Sequence, residues 1–266
     1  MNIVELFAQH DPIVLITLGL LSLLAGFIDA VVGGGGLIQF PALMIAYPST
    51  AVPTVFGTNK IAGLSGTSIA AVQYAKRIKF NWKLLLITAI SSFIASFIGA
   101  KLVSSIDVNF LKPFIFFMLI GIAIYTYTKK DFGSFSIKKL TNHKKYFYGL
   151  LLGVLIGFYD GFLGPGTGSF LVLGFVALLG FEFLEASAYA KVINCVTNIS
   201  ALYVFISQGN YIIEIAIIMA VANVSGSILG AKMAILRGNQ FIRKVFLAVV
   251  CIMILRYGYD VFYSFK

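Results

Sequence analysis

Hydrophobic residues fall into long runs along this chain, separated by short polar segments. A helix needs ~20 apolar residues to cross a bilayer. Runs of about this length cover residues 12–32, 55–75, 84–104, 109–128, 146–163, 187–207, 211–231 and 245–263. The pattern predicts an all-α polytopic membrane protein.

Two shorter apolar segments each follow a cluster of glycines. The first run ends at Gly33 to Gly36, and segment 37–48 after it contains Pro41. At about 12 residues this segment is too short for a full crossing. We predict a half-helix or a tilted crossing here, and the same in segment 167–181.

The two halves of the sequence match at an offset of 131 positions without a gap. The match pairs Gly26, Phe27, Asp29, Gly33, Gly35 and Lys60 with Gly157, Phe158, Asp160, Gly164, Gly166 and Lys191. Chance apolar similarity would not align rare Asp, Lys and clustered Gly in one register. We predict a tandem duplication, with a first transmembrane repeat at 1–128, a basic cytoplasmic linker at 129–145 and a second repeat at 146–266.

Composition and charge agree with membrane insertion. The chain is 59% hydrophobic and 11% charged, with a net charge of +10, whereas soluble domains carry ~25% charged residues. Fourteen of the 20 Lys and Arg residues lie in segments 76–83, 129–145 and 232–244. Such clustering is typical of cytoplasmic loops, so we expect no nucleic-acid partner.

The charge bias also predicts the relative orientation of the halves. Segment 76–83 is basic, whereas its counterpart 207–214 contains no Lys or Arg. Turn 101–112 carries few charges, whereas its counterpart 232–243 is basic. Opposite bias predicts inverted halves of five crossings each, with the segments after the glycines counted as crossings. The alternative is eight spans plus two re-entrant segments.

The glycine clusters are the first candidate for chemistry. Free backbone N–H and C=O groups are costly in hydrocarbon, so a helix break is tolerated mainly where it lines a cavity. A helix that starts after the break directs its N–H groups and positive dipole end at that cavity, which favours an anion. Close helix packing through small residues is the alternative. The candidate substrate-binding residues are Gly34, Gly35, Gly36, Gly166, Thr167 and Gly168.

Lys60 and Lys191 each lie inside an apolar run. A lysine at the bilayer centre costs ~2.5–3.5 kcal/mol and usually faces a pathway or an ion-pair partner. Snorkelling towards the interface is the alternative. Because the lysine recurs in both halves, we expect both to contact an anionic substrate. Polar neighbours that could add hydrogen bonds are Thr58, Asn59, Asn194 and Asn198.

Asp29 and Asp160 form a third recurring pair. A buried aspartate is costly unless it is paired or protonated. Three roles are open at this point. Each aspartate could form a salt bridge with Lys60 or Lys191, accept a proton in coupled transport, or cap a helix at the glycine break.

The sequence contains no pattern typical of an enzyme. Its two histidines, His10 and His143, are isolated, and the GGGG stretch is not followed by the Lys-Ser/Thr of a nucleotide-binding loop. Cys195 and Cys251 lie in apolar runs and are expected to be packing residues. We expect no catalytic activity, cofactor or metal. The expected partners are the lipid bilayer and a small anion, with a homodimer left open.

These motifs resemble those of the sulfite exporter TauE/SafE family. The resemblance covers essentially the whole chain and is strongest to a branch of bacterial inner-membrane proteins. Its motifs are Gly26-Phe27-Ile28-Asp29 with the following glycines, Thr58-Asn59-Lys60, Gly157-Phe158-Tyr159-Asp160-Gly161-Phe162 with Gly164-Pro165, and Ala190-Lys191 with Asn194 and Asn198. The resemblance implies a multi-pass transporter of the bacterial inner (plasma) membrane. It also implies a substrate such as sulfite, a sulfonate or a related sulfur oxyanion.

The leading hypothesis is a secondary transporter that moves a small anion by alternating access, with Asp29 or Asp160 coupling a proton. An anion channel or passive pore is the alternative. The family is often described with eight spans, which differs from the inverted five-plus-five arrangement that the charge bias predicts.

Overall fold

The computed structural model describes residues 11–103 and 140–264, with side chains described up to Val249 and at Cys251. All regular structure in these ranges is helical. The helices are α1 (Pro12–Val32), α2 (Gly36–Ala46), α3 (Val52–Ala75), α4 (Trp82–Leu102), α5 (Asn142–Phe162), α6 (Thr167–Gly174), α7 (Phe183–Ser207) and α8 (Ile213–Ser264). The expected span 109–128 and most of the expected linker lie outside the described residues.

Four of the described helices are long and apolar enough to cross a membrane. They are Pro12–Val32, Trp82–Leu102, Phe183–Ser207 and the Ile213–Val249 part of α8. Their outer faces expose large apolar side chains, including Ile13, Leu20, Trp82, Ile90 and Val221, each more than half exposed. Apolar exposure along whole helices requires lipid as the solvent. The chain is therefore a multi-pass, all-α membrane protein.

A short apolar helix follows each glycine cluster, as the sequence predicts. Helix α2 has 11 residues, and α6 has eight residues before a five-residue π-helical segment at Phe175–Leu179. Helix α1 ends at Gly33, whose backbone φ is 85°, and α6 starts after Gly166, whose φ is 87°. Glycine adopts this left-handed conformation without the strain that other residues would incur.

Helix α8 joins two of the predicted runs. The runs 211–231 and 245–263 are connected by helical residues, and the backbone leaves helical geometry only at Gly238, with φ 65° and ψ −161°. The segment between the runs is polar and basic, yet it continues the helix on both sides of the kink.

Two helix pairs pack closely through glycine. On α1, a Cβ added to Gly26 would lie 2.1 Å from the carbonyl oxygen of Asn223 in α8. On α5, a Cβ added to Gly157 would lie 2.7 Å from the Cα of Ser92 in α4. Such contacts are typical of membrane helices, where small residues allow backbones to approach. The pairs α1–α8 and α4–α5 therefore form the tightest contacts between the helices.

Helix starts in the two halves share the 131-residue interval at which the sequence motifs recur. Helices α2, α3 and α4 begin at Gly36, Val52 and Trp82, and α6, α7 and α8 begin at Thr167, Phe183 and Ile213. The Gly26–Asn223 and Gly157–Ser92 contacts are related by the same interval, with the halves exchanged.

The basic segment 76–83 and the start of α5 lie at the same end of the helix bundle. The backbone N–H of Asn81 donates to the Tyr189 hydroxyl near the start of α7. The Tyr189 ring packs against Phe181, with ring centroids 5.0 Å apart. Above the Phe181 ring, at 5.7 Å from its centroid, lies Nζ of Lys145.

The basic segment 237–244 lies at this end as well. Next to the kink at Gly238, the Asn239 side chain accepts a hydrogen bond from the backbone N–H of Leu184 (2.9 Å). The same side chain donates to the Glu182 carboxylate (3.0 Å). Both contacts join the kink of α8 to the start of α7. Segment 76–83, the start of α5 and segment 237–244 therefore share one end of the bundle, which we call the basic end.

Replacing Gly33 with alanine should destabilise the protein. The new Cβ would lie 2.2 Å from the carbonyl carbon of Gly168, at a left-handed φ of 85°. Left-handed backbone costs an ordinary residue ~1–2 kcal/mol, and overpacking adds ~1–3 kcal/mol. We expect a clear fall in melting temperature in detergent.

The matched control for this substitution is Gly19→Ala on the same helix, where the added Cβ meets nothing within 4 Å. Its melting temperature should stay the same or rise slightly, because alanine favours helix. Equal melting temperatures for the two variants would contradict the close contact of the helix breaks.

Candidate functional site

The two helix breaks lie against each other inside the protein. The backbone N–H of Ser169 in α6 donates to the Gly33 carbonyl (3.1 Å), and its hydroxyl donates to the Val32 carbonyl (3.0 Å). A Cβ on Gly168 would lie 2.4 Å from the Cα of Gly33. The end of α1 and the start of α6 are therefore in direct backbone contact.

A polar cavity of about 40 Å³ lies beside these breaks. Since ~10–15 Å³ suffices for one water molecule, it can hold a ligand of a few heavy atoms. Most of the site residues expected from the sequence line it, namely Asp29, Gly35, Gly36, Asn59, Lys60, Asp160, Gly166, Thr167, Gly168, Asn194 and Asn198. The cavity therefore brings together residues from both halves of the chain.

Lys60 and Asp160 form the first buried ion pair. Nζ of Lys60 lies 3.0 Å from Oδ2 of Asp160 and also donates to Oδ1 of Asn198 (3.1 Å). The other carboxylate oxygen of Asp160 accepts a hydrogen bond from the Thr167 hydroxyl (2.7 Å). Asn198 in turn donates to Asn194 (3.2 Å). This network joins α3 to α5, to the start of α6 and to α7.

Lys191 and Asp29 form the second buried ion pair. Nζ of Lys191 lies 2.9 Å from Oδ2 of Asp29, and the Thr67 hydroxyl donates to the same oxygen (2.8 Å). The Lys191 side chain is fully buried and does not line the cavity. Of the three roles open for the aspartates, the structure therefore shows the ion pair. Each lysine pairs with the aspartate of the other half.

The starts of α2 and α6 carry free backbone donors. Neither helix has a side-chain cap. The N–H groups of Gly36 and Gly168, which line the cavity, have no hydrogen-bond acceptor within residues 11–103 and 140–264. A helix N-terminus with unpaired N–H groups attracts negative charge. Together with the Lys60 ammonium, these N–H groups supply hydrogen-bond donors to a cavity whose lining also includes the Asp29 and Asp160 carboxylates.

Two cavity asparagines also have an unpaired polar atom. Oδ1 of Asn59 and Nδ2 of Asn223 are buried and form no hydrogen bond with any other group in the described ranges. Both residues line the cavity. Buried polar atoms are nearly always paired with protein, water or ligand. The residues that line the cavity therefore include two with an unsatisfied buried polar atom.

Two other predicted site residues have packing contacts outside the cavity lining. Thr58 donates to the Thr54 carbonyl (2.7 Å) and accepts from the Ile212 backbone N–H (2.9 Å). It thus ties the start of α3 to the turn before α8, at the end of the bundle opposite the basic end. A Cβ on Gly34 would lie 2.8 Å from the Val249 side chain.

The structure also adds residues that the sequence reasoning did not select. Further lining residues are Gly33, Gln39, Phe56, Gly63, Thr67, Gly164 and Asn223. Thr67 follows Lys60 by seven residues on α3, so both lie on one helix face. This spacing could have identified Thr67 as a site residue. Gln39 and Asn223 are uncharged polar residues in apolar runs, a weaker signal that was available.

Comparison with known proteins identifies similar sequences over most of the chain. A model of the family described as Sulfite exporter TauE/SafE matches residues 18–257. A "Probable membrane transporter protein ORF9" of Sinorhizobium sp is 36% identical over 88% of this chain and 88% of its own length. A "Probable membrane transporter protein" of Haemophilus influenzae is 34% identical over 89% and 91%.

A third relative is the "Probable membrane transporter protein YfcA" of Escherichia coli K12. It is 32% identical over 94% of this chain and 91% of its own length. No solved structure matches the chain significantly.

Removing one partner of the first ion pair should cost more stability than removing both. Asp160→Ala would leave the Lys60 ammonium buried without its carboxylate, which typically costs ~3–5 kcal/mol. The double variant Asp160→Ala/Lys60→Met has no lone buried charge and should melt at a higher temperature than the single variant. Thermal unfolding in detergent measures both, and a double variant that is less stable than Asp160→Ala would refute the pairing.

Proposed function

The chain belongs to the sulfite exporter TauE/SafE family, and we propose that it is a secondary transporter for a small anion such as sulfite or a sulfonate. The observation that carries this proposal is the interior cavity that holds the Lys60 ammonium beside the starts of two short helices. Transport agrees with the names of the three relatives, each of which is called a probable membrane transporter protein. We place the protein in the bacterial inner membrane.

The cavity chemistry supports an oxyanion as the substrate. Lys60 supplies a charged donor, and Gly36 and Gly168 supply backbone N–H groups. A planar or tetrahedral oxyanion has several acceptor oxygens that can meet such convergent donors at once. In this proposal Lys60 contacts the anion directly, Asn194 and Asn198 orient the lysine, and Lys191 acts through Asp29.

Aromatic packing on both sides of the cavity supports a carrier over an open pore. Phe56 lines the cavity and stacks on Phe40 with ring centroids 4.5 Å apart, towards the start of α3. Towards the basic end, Tyr189 packs against Phe181 (5.0 Å) and Phe175 (5.4 Å). We propose that these two aromatic groups are the barriers that alternating access opens one at a time.

An inverted pair of repeats fits the observed contacts. The shared interval of 131 residues between helix starts supports the duplication. Segments 76–83 and 237–244 both contact the start of α7, so they lie at one end of the bundle. Two repeats in the same orientation would put these segments at opposite ends. We therefore propose five crossings per half and a cytoplasmic basic end.

Lys60→Ala and Lys191→Ala should each abolish anion transport while the protein still reaches the membrane. The first removes the charged donor of the cavity, and the second leaves Asp29 buried without its cation. A melting-temperature screen against sulfite, sulfate, thiosulfate, sulfonates and small carboxylates would select the anion, because a bound ligand raises stability. Counterflow of that labelled anion between proteoliposomes then measures transport.

The control for these lysine variants is Lys79→Ala, which removes an exposed lysine at the basic end and should transport like the wild type. Wild-type flux in Lys60→Ala would exclude direct contact. Conductance that does not saturate with anion concentration would favour a channel instead.

Cysteine labelling tests the inverted arrangement. In a background with Cys195 and Cys251 replaced by alanine, single cysteines at Lys79 and Arg237 should react with an impermeant reagent only from the cytoplasm. A cysteine at the exposed Gln208, in the turn before α8, should react only from outside. Reaction of positions 79 and 237 from opposite sides would contradict the proposed orientation.

A further inference from the structure

The two ion pairs present different groups to the cavity. In the first pair both Lys60 and Asp160 line the cavity, and both oxygens of Asp160 are engaged, by Lys60 and by the Thr167 hydroxyl. In the second pair Lys191 is fully buried, and only Asp29 lines the cavity. Asp29 is therefore the lining carboxylate whose cation does not itself reach the cavity.

One oxygen of Asp29 is open to the cavity. Its Oδ2 accepts from both Lys191 and Thr67, whereas its Oδ1 forms no hydrogen bond within the described part of the chain. The Asp29 side chain is 11% exposed, against 3% for Asp160. A lysine ammonium lies equally close to both carboxylates, so the difference between them is the free oxygen and its access to the cavity.

The charges of the site balance before an anion enters. Lys60 and Lys191 neutralise Asp29 and Asp160. A monovalent anion bound at Lys60 would leave one uncompensated negative charge in a low-dielectric interior, which is costly. One proton on a carboxylate restores neutrality.

We propose that Asp29 binds one proton for each monovalent anion that binds at Lys60, so that the two move together. This inference rests on the proposed function. From the aqueous side, a proton bonds to Oδ1 of Asp29 as the anion enters, and Oδ2 keeps its contacts with Lys191 and Thr67. On the other side, the proton returns to water and the anion leaves, which restores the two ion pairs.

The groups around Asp29 have partners of their own, so we assign the proton to Oδ1 of Asp29. The titratable groups around it are Lys60, Tyr74, Asp160, Lys191 and Cys195. The Tyr74 hydroxyl is directed to the Ala30 carbonyl (3.0 Å), and Cys195 lies against Ser68 (3.8 Å). From α6 and α8, the side chains that reach the cavity lining are neutral.

Methanesulfonate is a suitable probe because it is a small monovalent anion at any physiological pH and carries no proton itself. In wild-type proteoliposomes, an inward proton gradient should drive its accumulation. A pH dye inside should report one proton entering per anion. A sodium gradient alone should not drive methanesulfonate accumulation.

The variant Asp29→Asn/Lys191→Gln removes both charges of the second pair and leaves no lone buried charge. We expect it to lose accumulation driven by the proton gradient, because Asp29 can no longer take up the proton that balances the charge of the anion. Any exchange of labelled for unlabelled methanesulfonate that remains should be slower than in the wild type and should not depend on pH. The comparison variant Asp160→Asn/Lys60→Gln should lose exchange altogether, because it lacks the anion-binding ammonium.

Proton-driven accumulation in Asp29→Asn/Lys191→Gln would overturn the inference. A measured ratio of zero protons entering per anion in wild-type proteoliposomes would also overturn it. This measurement does not depend on whether the variant reaches the membrane. Methanesulfonate accumulation driven by a sodium gradient and not by a proton gradient would overturn the inference too. Failure of the proposed function is distinguishable, because wild-type protein would then exchange neither methanesulfonate nor any anion that raises its melting temperature.

Discussion

The pairing of four buried charges across the two halves is the constraint on which this structure depends. Two ammonium groups and two carboxylates lie in the interior of an apolar helix bundle, where a lone charge would be strongly destabilising. Each lysine meets the aspartate of the other half, so α3 is held to α5 and α7 to α1. These charges are therefore compensated only when the two halves are docked against each other.

The helix breaks lie beside the cavity that residues of both ion pairs line. Glycine at positions 33 and 168 lets two backbones meet at a distance that no side chain would allow. The short helices that follow then begin beside the lysine, with N–H groups unpaired in the described ranges. A bundle of unbroken helices would satisfy these groups internally and leave no polar space. Thus the breaks occur where the backbone lines a polar cavity, which is where a membrane protein tolerates them.

Recurrence in the sequence was enough to select the four residues that form the two buried ion pairs. Asp29, Lys60, Asp160 and Lys191 stood out because charged residues are rare in apolar runs and these recur at one interval. The short helices were predictable because glycine clusters interrupt apolar runs at both positions. What periodicity could not give was the rotation of each helix about its axis. Packing alone decides that Lys60 faces the cavity and that Lys191 is buried behind Asp29.

Other features also depended on tertiary contacts. The basic segment between the runs 211–231 and 245–263 is helical on both sides of a kink at Gly238, and next to this kink Asn239 bonds to the start of α7. Gln39 and Asn223 belong to the site only because α2 and α8 pack around it. Residues such as these have no signal beyond a polar side chain in an apolar run.

The most direct test of the account is to locate a bound anion. Selenite is a pyramidal oxyanion like sulfite, and selenium scatters anomalously, so crystals grown with selenite would reveal its position in an anomalous difference map. We predict a single interior peak within hydrogen-bonding distance of Lys60 Nζ and beside the backbone N–H groups of Gly36 and Gly168. A map in which Lys60 faces lipid, or in which selenite binds only at the surface, would contradict it.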